Sequence, residues 1–138
     1  MSSLIRFGVS LDSGLSNKFD SRIRKKGYSN RSEAIRDLIR KDLVQEEWED
    51  AGEVVGAITL IYDHHKRELL NKITDTQHNF QDLIISAQHV HLDHHNCLEI
   101  IAVKGLSVKV KKLGDMLKSV KGVRHATLSM ATTGRQLT

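Results

Sequence analysis

The chain has 138 residues, 39% of them hydrophobic and 4% aromatic, with one cysteine, no proline and a formal net charge of +4. That length and apolar content suit one domain or two small ones, and no apolar run approaches the ~20 residues of a membrane helix. The N-terminus has neither the charged start nor the apolar stretch of a secretory signal, so a cytoplasmic protein is expected. A lone thiol excludes an internal disulfide framework, and so few aromatic rings argue against a protein that stacks single-stranded bases.

Charge is unevenly placed. Residues 1–41 hold ten Lys/Arg against four Asp/Glu, whereas residues 42–53 hold six acids and no base. The basic stretch suits nucleic acid. The acidic one marks a boundary, giving a basic first domain over 1–48, a linker over 49–53 and a second domain over 54–138.

Between Ile5 and Leu11 apolar residues alternate with Arg6, Gly8 and Ser10, the period of a strand with one buried face. Asp12 or Ser13 then caps a helix carrying Leu15, Phe19 and Ile23, and Gly27 ends it after Arg24, Lys25 and Lys26. Asn30 with Glu33 three residues later resembles a capping box, followed by the stripe Ile35, Leu38, Ile39 and Leu43. A unit with a single strand cannot satisfy that strand's backbone, so a second chain is expected to pair with it. The resulting two-stranded ribbon fits the major groove of double-stranded DNA, with Arg6 and Ser10 on its open face, Arg suited to guanine and Ser to several base edges.

In the second domain Val54 to Tyr62 reads as a buried strand, and Asp63 as the cap of a helix through Leu69, Leu70 and Ile73. Leu83 to Leu92 and Cys97 to Val103 read as a hairpin around a polar loop. Gly105 and Ser107 introduce a helix with Val110, Leu113, Leu117 and Val120 inward, and Val123 to Met130 supplies a last strand. The order βαββαβ is ferredoxin-like and ACT-like, so the fold class is α+β, and that topology alone carries no function.

Five of the eight histidines and the only cysteine lie between His78 and Cys97. His89 and His91, two apart on a strand, share a face, and a loop centred on His94 sets residue 91 opposite Cys97. Two imidazoles and a thiolate thus converge as metal ligands. His78, at the end of the preceding helix, is out of reach within its own chain, and a neighbouring chain could present it. His94, His95 and His125 are read as solvated or hydrogen-bonded side chains, as are His64 and His65. Three nitrogens and a thiolate suit tetrahedral Zn²⁺ or planar Ni²⁺ and Cu²⁺, and spacing does not choose between them.

The segment Asn30-Arg31-Ser32-Glu33-Ala34-Ile35-Arg36-Asp37 resembles the ribbon-helix-helix regulators, in particular the nickel-responsive NikR branch. His89-Val90-His91-Leu92-Asp93-His94-His95-Asn96-Cys97-Leu98-Glu99 is similar to that family's nickel-site segment, and Thr76-Gln77-His78 to the segment supplying a ligand from a second subunit. The resemblance runs from Leu4 to about Met130. It implies one Ni(II) per subunit held by His89, His91, Cys97 and another chain's His78, in a homotetramer that represses nickel-uptake genes. It further implies backbone DNA contacts from Lys66 and Arg67, and an interdomain cation at Glu33 and Asp37. Gly8 departs from the hydroxyl residue often found at the middle of the ribbon, which puts the family's base readout in doubt there. The alternatives are a regulator of the same build that responds to another metal or small ligand, and a metalloenzyme with Glu99 as its carboxylate.

Overall fold

The computed structural model describes residues 3–135 and 137. These form two compact units, one built from the N-terminal residues as far as Leu43 and the other from Val44–Arg135.

The first unit holds helix α1, Ser13–Lys26, and most of helix α2, Arg31–Glu49. Asp12 caps α1, its carboxylate accepting from the N–H groups of Gly14 and Leu15 at 3.1 and 3.4 Å, and Gly27 closes it in a left-handed conformation, φ 78°. At the start of α2 the Asn30 side-chain oxygen accepts from Glu33 N–H at 2.9 Å. The Glu33 carboxylate reaches back to Ser29 N–H at 3.2 Å, one residue earlier than a standard capping box. Residues 3–12, where the alternation predicts a strand, carry no ladder in the single chain. The reason is physical: a strand is defined by its partner, and this unit contains no second one. Its apolar residues remain outside, Ile5 79%, Phe7 71% and Val9 58% exposed.

The second unit is a four-stranded antiparallel sheet of order β2-β3-β1-β4, with β1 Glu53–Tyr62, β2 Ile84–His91, β3 Cys97–Leu106 and β4 His125–Met130. Helices α3, Arg67–Asn79, and α4, Ser107–Ser119, complete the βαββαβ order. Val54, Ile58, Leu60 and Tyr62 of β1 alternate with less buried residues and share a core with Ile101 and Val103 of β3. Leu69 and Ile73 of α3, and Val110, Leu113 and Leu117 of α4, close over it.

Two features differ from the sequence reading. Asp63 does not cap α3, which begins at Arg67 after Lys66 without a side-chain cap; its carboxylate instead accepts from His65 N–H at 2.9 Å, closing a tight turn. The compact units divide between Leu43 and Val44, inside α2, and not after residue 48. Trp48 accounts for this: it is buried in the second unit's core, with its indole N–H donating to the Ala131 carbonyl at 2.9 Å. The close approach depends on Gly56, where a Cβ would sit 2.8 Å from the Ser129 carbonyl oxygen and 3.3 Å from the Trp48 ring.

Candidate metal centre

Sheet register places the candidate ligands. Tyr62 of β1 pairs with Cys97 of β3, which pairs with His91 of β2; one step along, Leu60 pairs with Glu99 and Glu99 with His89. Directly opposed residues point to the same face, so these two rows form one surface, and the expected pairing of His91 with Cys97 is observed. Cys97 and Glu99 are buried with the β3 core residues, while His89 and His91 stand exposed on edge strand β2.

Glu99 organises the centre. Only 1% exposed, it accepts from Tyr62 Oη at 3.0 Å and from Gln77 Nε2 at 2.6 Å, and lies 2.8 Å from His89 Nε2. The first two donors saturate a buried carboxylate that would otherwise be costly. The third contact sets the imidazole: a carboxylate that accepts from Nε2–H leaves Nδ1 with its lone pair free. Nδ1 lies 3.8 Å from Cys97 Sγ and 3.5 Å from Tyr62 Oη. A histidine held by a carboxylate through one nitrogen, with the other aimed at a second ligand, is the usual support of a metal-binding imidazole.

Burial pushes the Cys97 thiol up from its ordinary range, and the nearby Glu99 carboxylate adds to the effect. Burial also raises Tyr62, with Glu99 contributing, so its hydroxyl remains a donor. A bound cation reverses the balance at the thiol, because thiolate is the ligand form.

The other candidates are placed as follows. The His91 ring packs edge-on against His64, centroids 4.7 Å apart, so His89 and Cys97 approach each other while His91 shares their face without closing the triad. His78 is exposed in the last turn of α3, next to Gln77, which reaches inward to Glu99. Lys66 and Arg67 are exposed at the start of α3, and Arg6 and Ser10 are exposed in the N-terminal segment. In the first unit, Glu33 is bound to Ser29 N–H, and Asp37 accepts from Tyr28 Oη. His125 is exposed on β4 opposite Ile61.

Sequence reasoning missed the positioning roles of Glu99, Gln77 and Tyr62. One signal was available for Glu99: an acidic residue at a core-face position of a buried strand requires partners. The donor set of one buried thiol and two imidazoles fits a borderline ion such as Ni²⁺, Zn²⁺ or Cu²⁺, and fits Mg²⁺ or Ca²⁺ poorly.

The chain is similar to known proteins along nearly its whole length. Residues 55–131 match the family described as the NikR C terminal nickel binding domain, and residues 5–46 match the ribbon-helix-helix proteins of the copG family. Each of three relatives bears the name "Putative nickel-responsive regulator": that of Syntrophus aciditrophicus is 58% identical over 135 residues, covering 98% of both chains. One from Geobacter sulfurreducens is 56% identical over 138 residues with 99% of both covered, and one from Nitratidesulfovibrio vulgaris is 54% identical over 139 residues with 100% of both covered. Among solved structures, an uncharacterised protein of Thermotoga maritima superposes with a TM-score of 0.52 at 14% identity, covering 56% of this chain and 96% of its own, a likeness of fold alone.

Proposed function

The chain belongs to the NikR family of nickel-responsive, ribbon-helix-helix transcriptional regulators, and from that premise we propose that one Ni²⁺ per subunit is held by His89, His91 and Cys97 with His78 of a neighbouring chain. In this reading the subunits form a homotetramer, and the nickel-loaded protein represses nickel-uptake genes.

The observation that carries the ligand assignment is the Glu99 carboxylate beside His89 Nε2, which leaves Nδ1 facing the buried Cys97 thiol. Nickel, when bound, would supply a cationic centre for one thiolate and the imidazoles. Cys97 would bind as the thiolate, Glu99 would keep the His89 ring oriented, and His91, on the same face, would supply the second imidazole. His78, exposed beside the inward-reaching Gln77, is available to another chain. A ligand shared between chains couples metal occupancy to assembly.

The DNA-binding part follows from the first unit. Ile5, Phe7 and Val9 lie outside, and Leu38 and Ile39 of α2 are exposed as well. A second copy would pair with the N-terminal segment as an antiparallel ribbon, cover these residues and leave Arg6 and Ser10 for base edges, with Lys66 and Arg67 on phosphates. The enzymatic alternative loses ground on one contact set: Glu99, the carboxylate it needs as a base, is engaged by Tyr62, Gln77 and His89.

The test is the optical spectrum of the purified protein titrated with Ni²⁺, for wild type, His78→Ala and Cys97→Ala, alongside operator binding at each ratio. A thiolate-to-nickel absorption, abolished in Cys97→Ala and altered in His78→Ala, is expected to rise with DNA affinity. A spectrum indifferent to His78→Ala refutes the shared ligand, and nickel-dependent DNA binding that survives Cys97→Ala refutes the site.

A further inference from the structure

A second cluster of donors lies just beyond the first, where the turn between β1 and α3 meets the tip of the β2–β3 hairpin. The pairing of Tyr62 with Cys97 brings these segments together, because Asp63 follows one strand and the loop 92–96 precedes the other. A carboxylate oxygen of Asp63, a ring nitrogen of His65 and a ring nitrogen of His95 all lie within 4.8 Å of one another. It is the one gathered set of three such donors among the described residues. We propose that Asp63, His65 and His95 form a second, thiolate-free site for a borderline divalent transition-metal ion, with Zn²⁺ as the representative occupant.

The backbone holds these donors in place before any ion arrives. Asp63 is buried, and its Oδ1 accepts from His65 N–H at 2.9 Å with His65 Nδ1 3.2 Å away. On the other side Asp93 Oδ1 accepts from the N–H groups of His95 and Asn96, both at 2.8 Å, so the loop presenting His95 is itself a closed turn.

Further imidazoles crowd the same corner. His64, His65, His94 and His95 crowd together, with ring centroids 4.1 Å apart for His64 and His65, 4.9 Å for His65 and His94, and 4.8 Å for His94 and His95. His64 Nδ1, in the same corner, is buried without a hydrogen-bond partner. Two imidazoles and a carboxylate, with His94 beside them and room for water on the exposed side, suit Zn²⁺, Ni²⁺ or Cu²⁺ better than a purely oxygen-seeking ion. Exposed ligands and the absence of sulfur make this site weaker than one containing Cys97. An ion here would clasp the hairpin tip to the end of β1, and the His64 ring, in contact with both His65 and His91, links it to the first centre.

The proposal stands apart from the assignment of the thiolate site, and a full-length Cys97→Ala background separates the two. Zn²⁺ is titrated into this protein against a chromogenic chelator while histidine ring resonances are followed by NMR. One equivalent per chain is expected to bind, shifting His65 and His95. Adding His65→Ala or His95→Ala is expected to weaken that equivalent at least about tenfold, the lower bound for disturbing a metal's ligand shell. Both rings are exposed, so neither substitution touches the core. Unchanged Zn²⁺ affinity in both variants, unmoved His65 and His95 resonances, or no Zn²⁺ bound by Cys97→Ala protein overturns the proposal.

Discussion

Replacing Glu99 by glutamine isolates what its charge does for the metal centre. The substitution keeps the volume of a side chain only 1% exposed and changes one oxygen to an amide nitrogen. Glu99 Oε2 accepts from Gln77 Nε2 at 2.6 Å, and an amide there remains paired if the Gln77 amide turns over to offer its oxygen. Oε1 still accepts from Tyr62 and His89, but as a neutral oxygen. Hydrogen bonds to charged groups contribute about 1.5–3 kcal/mol and neutral ones about 0.5–1.5. The His89 support therefore weakens by roughly 1 kcal/mol, lowering nickel affinity about five- to tenfold. Glu99→Ala removes all three contacts and is expected to cost about 10- to 100-fold, the range for loss of a partner behind a metal-bound histidine. Competition with a chelator at fixed pH, read through the thiolate–nickel absorption, measures both. If both variants bind nickel within about twofold of wild type, a difference under 0.5 kcal/mol, Glu99 does not position His89 and the argument fails.

Burial and Glu99 raise the Cys97 thiol, so nickel must displace its proton across the neutral range; affinity is expected to fall about tenfold per pH unit as pH drops, in chelator competition run as a pH series. In metal-free Glu99→Gln the thiol is expected to titrate at lower pH than in wild type, seen in the ultraviolet absorbance of the thiolate, because a negative neighbour has been removed. Trp48→Ala is expected to destabilise the second unit by about 3–5 kcal/mol in denaturant unfolding, the usual cost of emptying a large aromatic site. Gly56→Ala, whose Cβ would press on the Ser129 carbonyl oxygen at 2.8 Å, is expected to cost about 1–3 kcal/mol by overpacking.

Local signals carried most of the second unit. Alternation located β1, the polar loop located the hairpin, and the pairing of His91 with Cys97 followed from the loop's centre. What escaped depended on contacts distant in sequence. Gln77 and Tyr62 converge on Glu99 only after α3 and β1 have packed, and nothing in the spacing of 62, 77 and 99 announces it. Asp63 looked like a helix cap because its side chain suits one; the structure spends it on His65 N–H, four residues before α3 begins. His65 and His95, read as solvated, are gathered with Asp63 by the strand pairing beneath them. The acidic composition after residue 41 hid Trp48, a single large apolar residue whose burial places the end of α2 with the second unit. The N-terminal alternation remains without a ladder in one chain, since strand pairing depends on a partner as well as on the residues themselves.

The hairpin register has a consequence for how such a protein can diverge. His89, His91, Cys97 and Glu99 meet because two strands with a side-chain period of two are joined by a loop of fixed length, residues 92–96. A point substitution within that loop leaves the alignment intact. Slipping β3 by a single residue carries Cys97 and Glu99 together to the opposite face, removing the thiol and the carboxylate that holds His89 in one step. The number of residues in the loop is therefore as much a part of this surface as the side chains themselves, because it alone decides which of them share a face.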